Sequence, residues 1–203
     1  SALVSTAWLA ERLSDPLLRI ADASWYLPKM GRDAKAEYAQ AHIPGAVYFD
    51  IDALSEQSTS LPHMLAPPSE FAARMGALGL GDEHTIVVYD GAGLFSSPRA
   101  WWTLRAMGHT DVFVLDGGLP KWQRDGYPVD GSPVNPTPAR FTAKPDAPMV
   151  RAIGQMMENL QSRAAQVIDA RGRPRFAGEE AEPRPGVRGG HIPGSINLPY
   201  SQL

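Results

Sequence analysis

The chain has 203 residues, of which 43% are hydrophobic and 20% are charged, a composition typical of a globular protein. Its net charge of −3 gives no basic surface for nucleic acid, and no apolar run approaches the ~20 residues that a membrane-spanning helix requires. The absence of cysteine excludes disulfides and thiolate metal sites from these residues. Because the N-terminus has no basic and apolar leader pattern, the sequence favours a cytoplasmic protein.

Short apolar runs and helix-like segments follow each other along the first part of the chain. Ser5-Thr6 precedes the first predicted helix, and Ser96-Ser97-Pro98 precedes a helix that reaches Met107, with proline in the first turn where it fits best. Strands are predicted at 17–21, 46–49, 85–89 and 112–115, and further helices near 35–40, near 69–78 and around Trp122. Because the apolar runs do not alternate with polar residues and most are followed by a helix, both faces of the strands should be covered. The sequence predicts a doubly wound α/β domain with a mostly parallel sheet.

The sequence also repeats itself. His42-Ile43-Pro44-Gly45 returns as His191-Ile192-Pro193-Gly194, and an Asp-Ala pair precedes each copy, at Asp22 and at Asp169. The order helix, strand, Asp-Ala, charged loop, His-Ile-Pro-Gly and strand occurs twice, with an offset of about 150 residues, which indicates a duplicated domain. We expect an N-terminal domain at 1–130, a Pro-rich interdomain linker at 131–148, and the first part of a second domain at 149–203.

The second copy stops at Leu203, whereas the first copy continues for about another 75 residues past the matching point. Parallel strands need neighbouring strands and helical cover on both faces. Whole domains are stable by only about 5–15 kcal/mol, so a partial core has little stability to lose. We therefore expect residues 149–203 to be ordered only when another chain segment completes their sheet.

The loop from Tyr89 to Arg99 is the best candidate site in the first domain. It joins the strongest predicted strand to the best-capped helix, and sites in open α/β sheets lie beyond the carboxyl ends of strands. Gly91 and Gly93 let backbone N–H groups converge on an anion. A nucleotide site is disfavoured because a third glycine is missing and because Asp90 would repel phosphate. On the residues alone, a tight turn in which backbone amides satisfy Asp90 is favoured.

Several segments, matched in the same order along the chain, identify a family. They lie at 22–28, 31–34, 42–46, 49–52, 61–65, 97–102 and 116–119 in the first domain, and at 169–171, 175–176, 182–186 and 190–194 in the second. Over its whole length the chain resembles the tandem rhodanese-domain sulfurtransferases, and it matches the members that use 3-mercaptopyruvate better than those that use thiosulfate. The resemblance implies two rhodanese-like domains, no cofactor and no metal, with the C-terminal remainder of the same protein as a partner.

The resemblance also implies a reaction. In this family a cysteine of the second domain accepts sulfur from the substrate as a persulfide and passes it to a thiol such as thioredoxin, or to cyanide. Asp90 matches the position of that nucleophile in the first domain, and a carboxylate has no soft sulfur atom to bond the transferred sulfur. The first domain is therefore expected to be the inactive copy. The catalytic cysteine is expected beyond Leu203, so that this chain alone would be inactive.

Four further residues take roles from the resemblance. Arg175 and Arg184 match two arginines that hold the substrate, and guanidinium groups suit its carboxylate. His63 and Asp52 match a proposed proton relay that includes a serine of the missing loop. Without the resemblance, the alternatives are a solvated arginine-rich loop, and a loop histidine beside an Asp52 that caps a helix.

Two histidines and three tryptophans receive structural interpretations. His42 and His191 each precede Ile-Pro-Gly at the start of a strand, in the inactive copy as well as in the other. The architecture of the turn explains this better than catalysis does. Trp25, Trp101 and Trp102 are interpreted as core or interdomain packing.

Two other functions stay open. The nearest is a thiosulfate sulfurtransferase, which the active loop would separate from the first hypothesis: a small neutral loop favours the keto acid, and a loop rich in Lys and Arg favours the thiosulfate dianion. A non-catalytic rhodanese-like binding module is the alternative from another class. It predicts no sulfur transfer from 3-mercaptopyruvate.

Overall fold

The computed structural model describes residues 1–183 and 186–202, apart from the side chain of Ala147. The chain divides into two compact units, Ser1–Met149 and Val150–Leu203.

A parallel sheet forms the centre of the first unit. Its strands are β1 (Leu3–Val4), β2 (Leu18–Asp22), β3 (Val47–Tyr48), β4 (Thr85–Tyr89) and β5 (Val112–Leu115). Its α-helices are α1 (Thr6–Ala10), α2 (Ala34–Gln40), α3 (Pro68–Ala77), α4 (Ser97–Ala106) and α5 (Gly118–Arg124), with 3-10 turns at Pro28–Met30 and Ala147–Met149. The strand order is β1-β5-β4-β2-β3, and all neighbours run parallel. The predicted α/β class with a mostly parallel sheet is confirmed.

The central strand β4 is buried on both sides. Ile86 and Val88 belong to one hydrophobic cluster, whereas Val87 and Tyr89 belong to another. Because successive side chains of a strand point to opposite faces, the two clusters lie on opposite faces of the sheet. Helices α3 and α4 cover one face through Phe71, Met75, Ala100 and Leu104, and helices α1 and α5 cover the other through Leu9 and Trp122. Covered on both faces, the sheet exposes the ends of its strands for a site.

The edge strand β1 was not predicted. It has two residues, and Leu3 lies opposite Val114 of β5, more than half the chain away. Two apolar residues are too short a run to show any period, so their pairing has no local sequence signal.

Residues 131–148, the predicted linker, lie extended along the first unit. Phe141 is only 7% exposed and packs edge-on against Phe71, with ring centroids 5.6 Å apart. The Ala139 N–H donates to the Gly76 carbonyl at 2.9 Å, and a Cβ at Gly76 would come within 2.6 Å of the Ala139 carbonyl oxygen. The glycine inside α3 therefore allows this segment to approach the helix closely.

The second unit contains α6 (Ile153–Ser162), β6 (Ile168–Asp169), α7 (Arg173–Ala177), β7 (Ile196–Asn197) and a 3-10 turn at Tyr200–Gln202. Strands β6 and β7 are parallel, with Ile168 opposite Ile196. Several large apolar side chains are exposed, including Ile153 at 83% and Ile168 at 52%. The expectation that these residues need another segment to complete their sheet stays a prediction.

The two repeated histidines make similar contacts, although His42 is buried and His191 is exposed. His42 Nδ1 lies 2.8 Å from the Tyr38 carbonyl, and its ring stacks on the Tyr38 ring with centroids 4.4 Å apart. His191 Nδ1 lies 2.8 Å from the Phe176 carbonyl and stacks on Phe176 at 3.8 Å. The glycine three residues on has a φ of 78° in the first copy and 79° in the second. In both units the histidine holds a helix-to-strand turn.

Candidate functional site

Asp90 starts the loop after β4, and its side chain is completely buried. Its Oδ1 accepts the N–H groups of Ala92, Gly93 and Leu94 at 2.9, 2.7 and 3.3 Å. Its Oδ2 accepts the N–H groups of Phe95, Ser96 and Ser97 at 2.8, 3.0 and 2.8 Å, and the Ser97 hydroxyl at 2.6 Å. The loop is thus a tight turn in which backbone amides satisfy a buried carboxylate.

This turn already contains its anion. Amides that converge at the start of a helix such as α4 form a site for negative charge, and here Asp90 occupies it. The one remaining amide of the loop, that of Gly91, donates to Ser24 Oγ at 2.8 Å. Every amide from Gly91 to Ser97 therefore has a partner within the protein, and the loop has none left for a substrate.

The side chains beside this turn are also hydrogen-bonded to one another and to the turn. Arg32 donates to both oxygens of Glu37, at 2.9 and 2.6 Å, and to the Gly91 carbonyl at 3.2 Å. The Arg32 guanidinium holds the pKa of Glu37 below its ordinary value. The Tyr26 hydroxyl donates to Glu37 at 3.0 Å, and burial raises the pKa of Tyr26. These contacts fix the turn as a rigid scaffold.

His63 and Asp52 are brought together in the first unit. His63 Nε2 lies 2.7 Å from Asp52 Oδ1. The other carboxylate oxygen accepts the indole N–H of Trp25 at 3.0 Å, and the Trp25 ring meets the His63 ring edge-on with centroids 5.0 Å apart. The Asp52 carboxylate therefore bonds two side chains and does not act as a helix cap.

Arg99 fixes the backbone at His63. His63 adopts a φ of 56°, a left-handed conformation that is uncommon for residues other than glycine. The Arg99 guanidinium donates to the His63 carbonyl oxygen and lies over the Trp102 ring at 4.8 Å. Burial lowers the pKa of Arg99 from its ordinary value. A charged donor on one side and Asp52 on the other thus hold this loop residue.

The arrangement has the chemistry of a proton carrier. A carboxylate bonded to one ring nitrogen of a histidine fixes the orientation of the ring. Nε2 is engaged by Asp52, so the opposite nitrogen, Nδ1, is the one that would exchange a proton with a hydroxyl or a substrate. Histidine is suited to this role near neutral pH.

Arg175 lies on α7 in the second unit and shares a carboxylate with Arg171. Glu182 Oε2 accepts Arg175 Nη2 at 2.5 Å, and Glu182 Oε1 accepts Arg171 Nη1 at 2.6 Å. The Glu182 side chain is only 6% exposed. The pKa of Glu182 lies below its ordinary value, mainly because of the Arg175 guanidinium and to a smaller extent because of that of Arg171.

The two arginines differ in the donors they have left. Arg171 also donates to both oxygens of Asp169, at 2.6 to 3.2 Å, and to the Gly190 carbonyl at 2.7 Å. Arg175 Nε is buried and has no partner within residues 1–183 and 186–202. All three side-chain nitrogens of Arg171 therefore have partners, whereas Arg175 Nε has none among the described residues.

The other predicted substrate arginine, Arg184, lies outside the described residues.

Sequence reasoning missed Glu182 and the contact of Trp25 with Asp52. Glu182 had a signal, because it is a carboxylate in a loop that holds five arginines between 171 and 188. Trp25 had none, since its partner is 27 residues away.

The described part of the chain has neither a candidate metal cluster nor a candidate membrane span. It contains no cluster of three or more His, Asp or Glu side chains that could hold a metal ion. None of the helices described here has the length and the apolar character needed to cross a membrane.

A family model for the rhodanese-like domain matches residues 5–125, more than half of the chain. The chain belongs to the rhodanese family.

Relatives of this rhodanese-family chain are sulfurtransferases. The human 3-mercaptopyruvate sulfurtransferase is 46% identical over 208 residues, which cover 100% of this chain and 70% of the human protein. The thiosulfate sulfurtransferase of Cricetulus griseus is 43% identical over 206 residues, covering 98% of this chain and 69% of that protein. A crystal structure of SseA from Escherichia coli, described as having the rhodanese fold of 3-mercaptopyruvate sulfotransferases, matches with a TM-score of 0.91 and 40% identity. It covers 100% of this chain and 76% of the SseA chain.

Proposed function

We propose that this chain is part of a cytoplasmic enzyme that transfers sulfur from 3-mercaptopyruvate to a thiol such as thioredoxin, or to cyanide, through a cysteine persulfide. No cysteine is present in the 203 residues, so the nucleophile belongs to a segment that works together with this chain. In this proposal residues 1–130 are the inactive copy, residues 131–148 connect the copies, and residues 149–203 are the first part of the catalytic domain.

The state of Arg175 is the observation that supports the substrate most directly. Its guanidinium is oriented by Glu182 and retains a buried Nε–H without an acceptor among the described residues. A planar guanidinium with an unpaired donor suits a carboxylate. A buried donor without an acceptor costs free energy, so an acceptor from the substrate would stabilise the complex. 3-Mercaptopyruvate has a carboxylate, whereas thiosulfate does not.

The proposed reaction balances without a cofactor. The cysteine thiolate attacks the sulfur of 3-mercaptopyruvate, an S–S bond forms and the C–S bond breaks. The electron pair leaves on the enolate of pyruvate, which takes up a proton to give pyruvate. The acceptor thiolate then attacks the outer sulfur of the persulfide, and the cysteine thiolate is released.

The residues of this chain have two roles in that sequence. Arg175 and Arg184 bind the carboxylate and hold the substrate while the C–S bond breaks. His63, oriented by Asp52, moves the proton that the reaction requires, through the hydroxyl of a serine near the cysteine. Such proton transfer by a positioned histidine typically contributes about 10²–10⁴-fold to a rate.

Donor preference in the complete protein tests the proposal. Arg175→Ala and Arg184→Ala should each lower kcat/KM for 3-mercaptopyruvate roughly tenfold to a hundredfold, the range of a lost charge-assisted hydrogen bond, with a far smaller loss for thiosulfate. Arg188→Ala, an exposed arginine of the same loop, is the matched control. Equal losses with both donors would count against the carboxylate role.

A second candidate is thiosulfate sulfur transfer. Its support is the relative from Cricetulus griseus, which bears that name at 43% identity. Assays of the unmodified protein with both donors separate the two, since a thiosulfate enzyme would turn over thiosulfate at least as efficiently as 3-mercaptopyruvate.

A further inference from the structure

Among the described charged residues between 169 and 190, Glu182 has the most enclosed side chain. Its side chain is 6% exposed, whereas those of its partners Arg171 and Arg175 are 28% and 31% exposed. Each of its oxygens accepts from a different guanidinium, at 2.6 and 2.5 Å. Removing one partner of a buried ion pair costs free energy because the other charge loses its partner. Glu182 therefore restrains both guanidinium groups.

The two arginines differ in how far their orientation depends on Glu182. Arg171 is fixed independently by Asp169 and by the Gly190 carbonyl. Within the described part of the chain, the guanidinium of Arg175 makes one hydrogen bond, from Nη2 to Glu182. Glu182 is therefore the group that sets the orientation of Arg175, and with it the direction of the unpaired Nε–H.

Glu182 also sets the charge of this cluster. Asp169, Arg171, Arg175 and Glu182 carry two negative and two positive formal charges, which cancel. Without Glu182 the same four positions would have a net charge of +1. An added positive charge attracts a dianion about twice as strongly as a monoanion at the same distance.

We propose that Glu182 is a specificity-determining residue, which aims Arg175 at a carboxylate and cancels one positive charge so that the site prefers a monoanion to a dianion. The inference rests on the proposed function, because it assigns Arg175 to substrate binding. It goes beyond that function by naming the residue that selects between anions of different charge. Glu182 acts through Arg175 and is a positioning residue.

Binding of inert anions to the complete protein tests the inference without any turnover. Pyruvate serves as the monoanionic carboxylate and sulfate as the dianion, and the Kd of each is measured by calorimetry. Glu182→Gln keeps the shape and removes the charge, whereas Glu182→Asp keeps the charge and shortens the reach. Glu180→Gln changes the net charge of the same loop equally, but the Glu180 side chain is exposed and lies outside the guanidinium cluster.

In Glu182→Gln we expect the ratio of sulfate affinity to pyruvate affinity to rise roughly tenfold, the size expected for one partly screened charge at close range. Glu180→Gln should leave the ratio within about twofold of the unmodified protein. Glu182→Asp should weaken the binding of both anions by a similar factor and leave the ratio within about twofold, because the charge remains while the orientation of Arg175 is lost.

An unchanged ratio in Glu182→Gln, or an equal change in Glu180→Gln, would overturn the inference. So would loss of detectable binding of both anions in Glu182→Gln, which would indicate a structural role alone. Failure of the proposed function has a different signature: the unmodified protein would bind pyruvate with the predicted dependence on Glu182 and yet transfer no sulfur from 3-mercaptopyruvate.

Discussion

The Ser97 hydroxyl donates to Asp90 Oδ2 across 2.6 Å, at the point where the loop after β4 becomes helix α4. With the six amides that reach the same carboxylate, it completes a buried shell of donors. Asp90 thus has a structural role in this turn.

Asp90→Ala should destabilise the first unit strongly. The substitution leaves six N–H groups and one hydroxyl without an acceptor, each worth about 1–3 kcal/mol before the loop relaxes. Because the loop can open to water, we expect the free energy of unfolding to fall by about 3–5 kcal/mol, as for a broken buried ionic contact. Urea unfolding measures the change.

Asp33→Ala is the control for this measurement. Asp33 caps α2 with one bond, to the Ala36 N–H at 3.0 Å, so its loss should cost about 1 kcal/mol. A loss at Asp90 no larger than that at Asp33 would contradict the structural role of the carboxylate.

Trp25→Phe should lower sulfur transfer from 3-mercaptopyruvate by roughly three- to tenfold in the complete protein, mainly through kcat. Phenylalanine keeps an aromatic ring beside His63 but removes the hydrogen bond to Asp52, and such a bond is worth about 1 kcal/mol. Trp101→Phe is the control, since its indole donates to the Val112 carbonyl instead. Equal losses in the two variants would argue against a role for Trp25 in orienting the relay.

Asp22→Asn should change the pH dependence of stability. Burial, opposed by hydrogen bonds from Ser24, raises the pKa of Asp22 above its ordinary value of 3.8. Between that value and the raised pKa, the folded protein binds a proton that the unfolded chain has released, so stability falls as the pH rises. Asparagine does not titrate, and its amide oxygen still accepts the Ser24 N–H that bonds Asp22 Oδ1 at 2.9 Å.

The unmodified chain should therefore lose stability relative to Asp22→Asn as the pH rises from 3.8 through the raised pKa, where the difference levels off. Urea unfolding at several pH values measures this difference. Asp15→Asn, at an exposed position, gives the background of any Asp-to-Asn change. A difference that stays constant across the pH range would show that Asp22 does not titrate in the folded protein.

Phe141→Ala should destabilise the first unit by about 3–5 kcal/mol, the usual cost of emptying a buried phenylalanine site. Leu61→Ala, at a position that is 58% exposed, should change stability by less than about 0.5 kcal/mol. A thermal melt of each variant tests this, and a small shift for Phe141→Ala would mean that residues 131–148 do not belong to the folded core.

Strong local patterns made much of the first unit predictable. Strand β4 has the predicted bounds, Thr85–Tyr89, because short-range preferences and packing agree there. Helix α4 begins at the predicted Ser-Pro pair, but it ends at Ala106 and the Ser96 side chain makes no capping hydrogen bond. The turn around Asp90 was predictable for the same reason, since aspartate followed by glycines favours local hydrogen bonds to the backbone.

Long-range contacts were not predictable from the residues alone. The five prolines between 131 and 148 indicated an extended segment, but its contact with α3 depends on Gly76 and Phe141 meeting partners elsewhere. The pairing of His63 with Asp52 followed from the resemblance and not from spacing. The hold of Glu182 on Arg175 depends on the fold of one loop, for which no pattern of periods or caps exists.

The close contact between Gly76 and Ala139 has a practical meaning for anyone who prepares the first domain by itself. A recombinant fragment cut at residue 125, where the family match ends, would expose Phe71 and leave the groove along α3 open to water or to other chains. A fragment that continues to Met149 would keep that groove filled and should be more stable and less prone to aggregate.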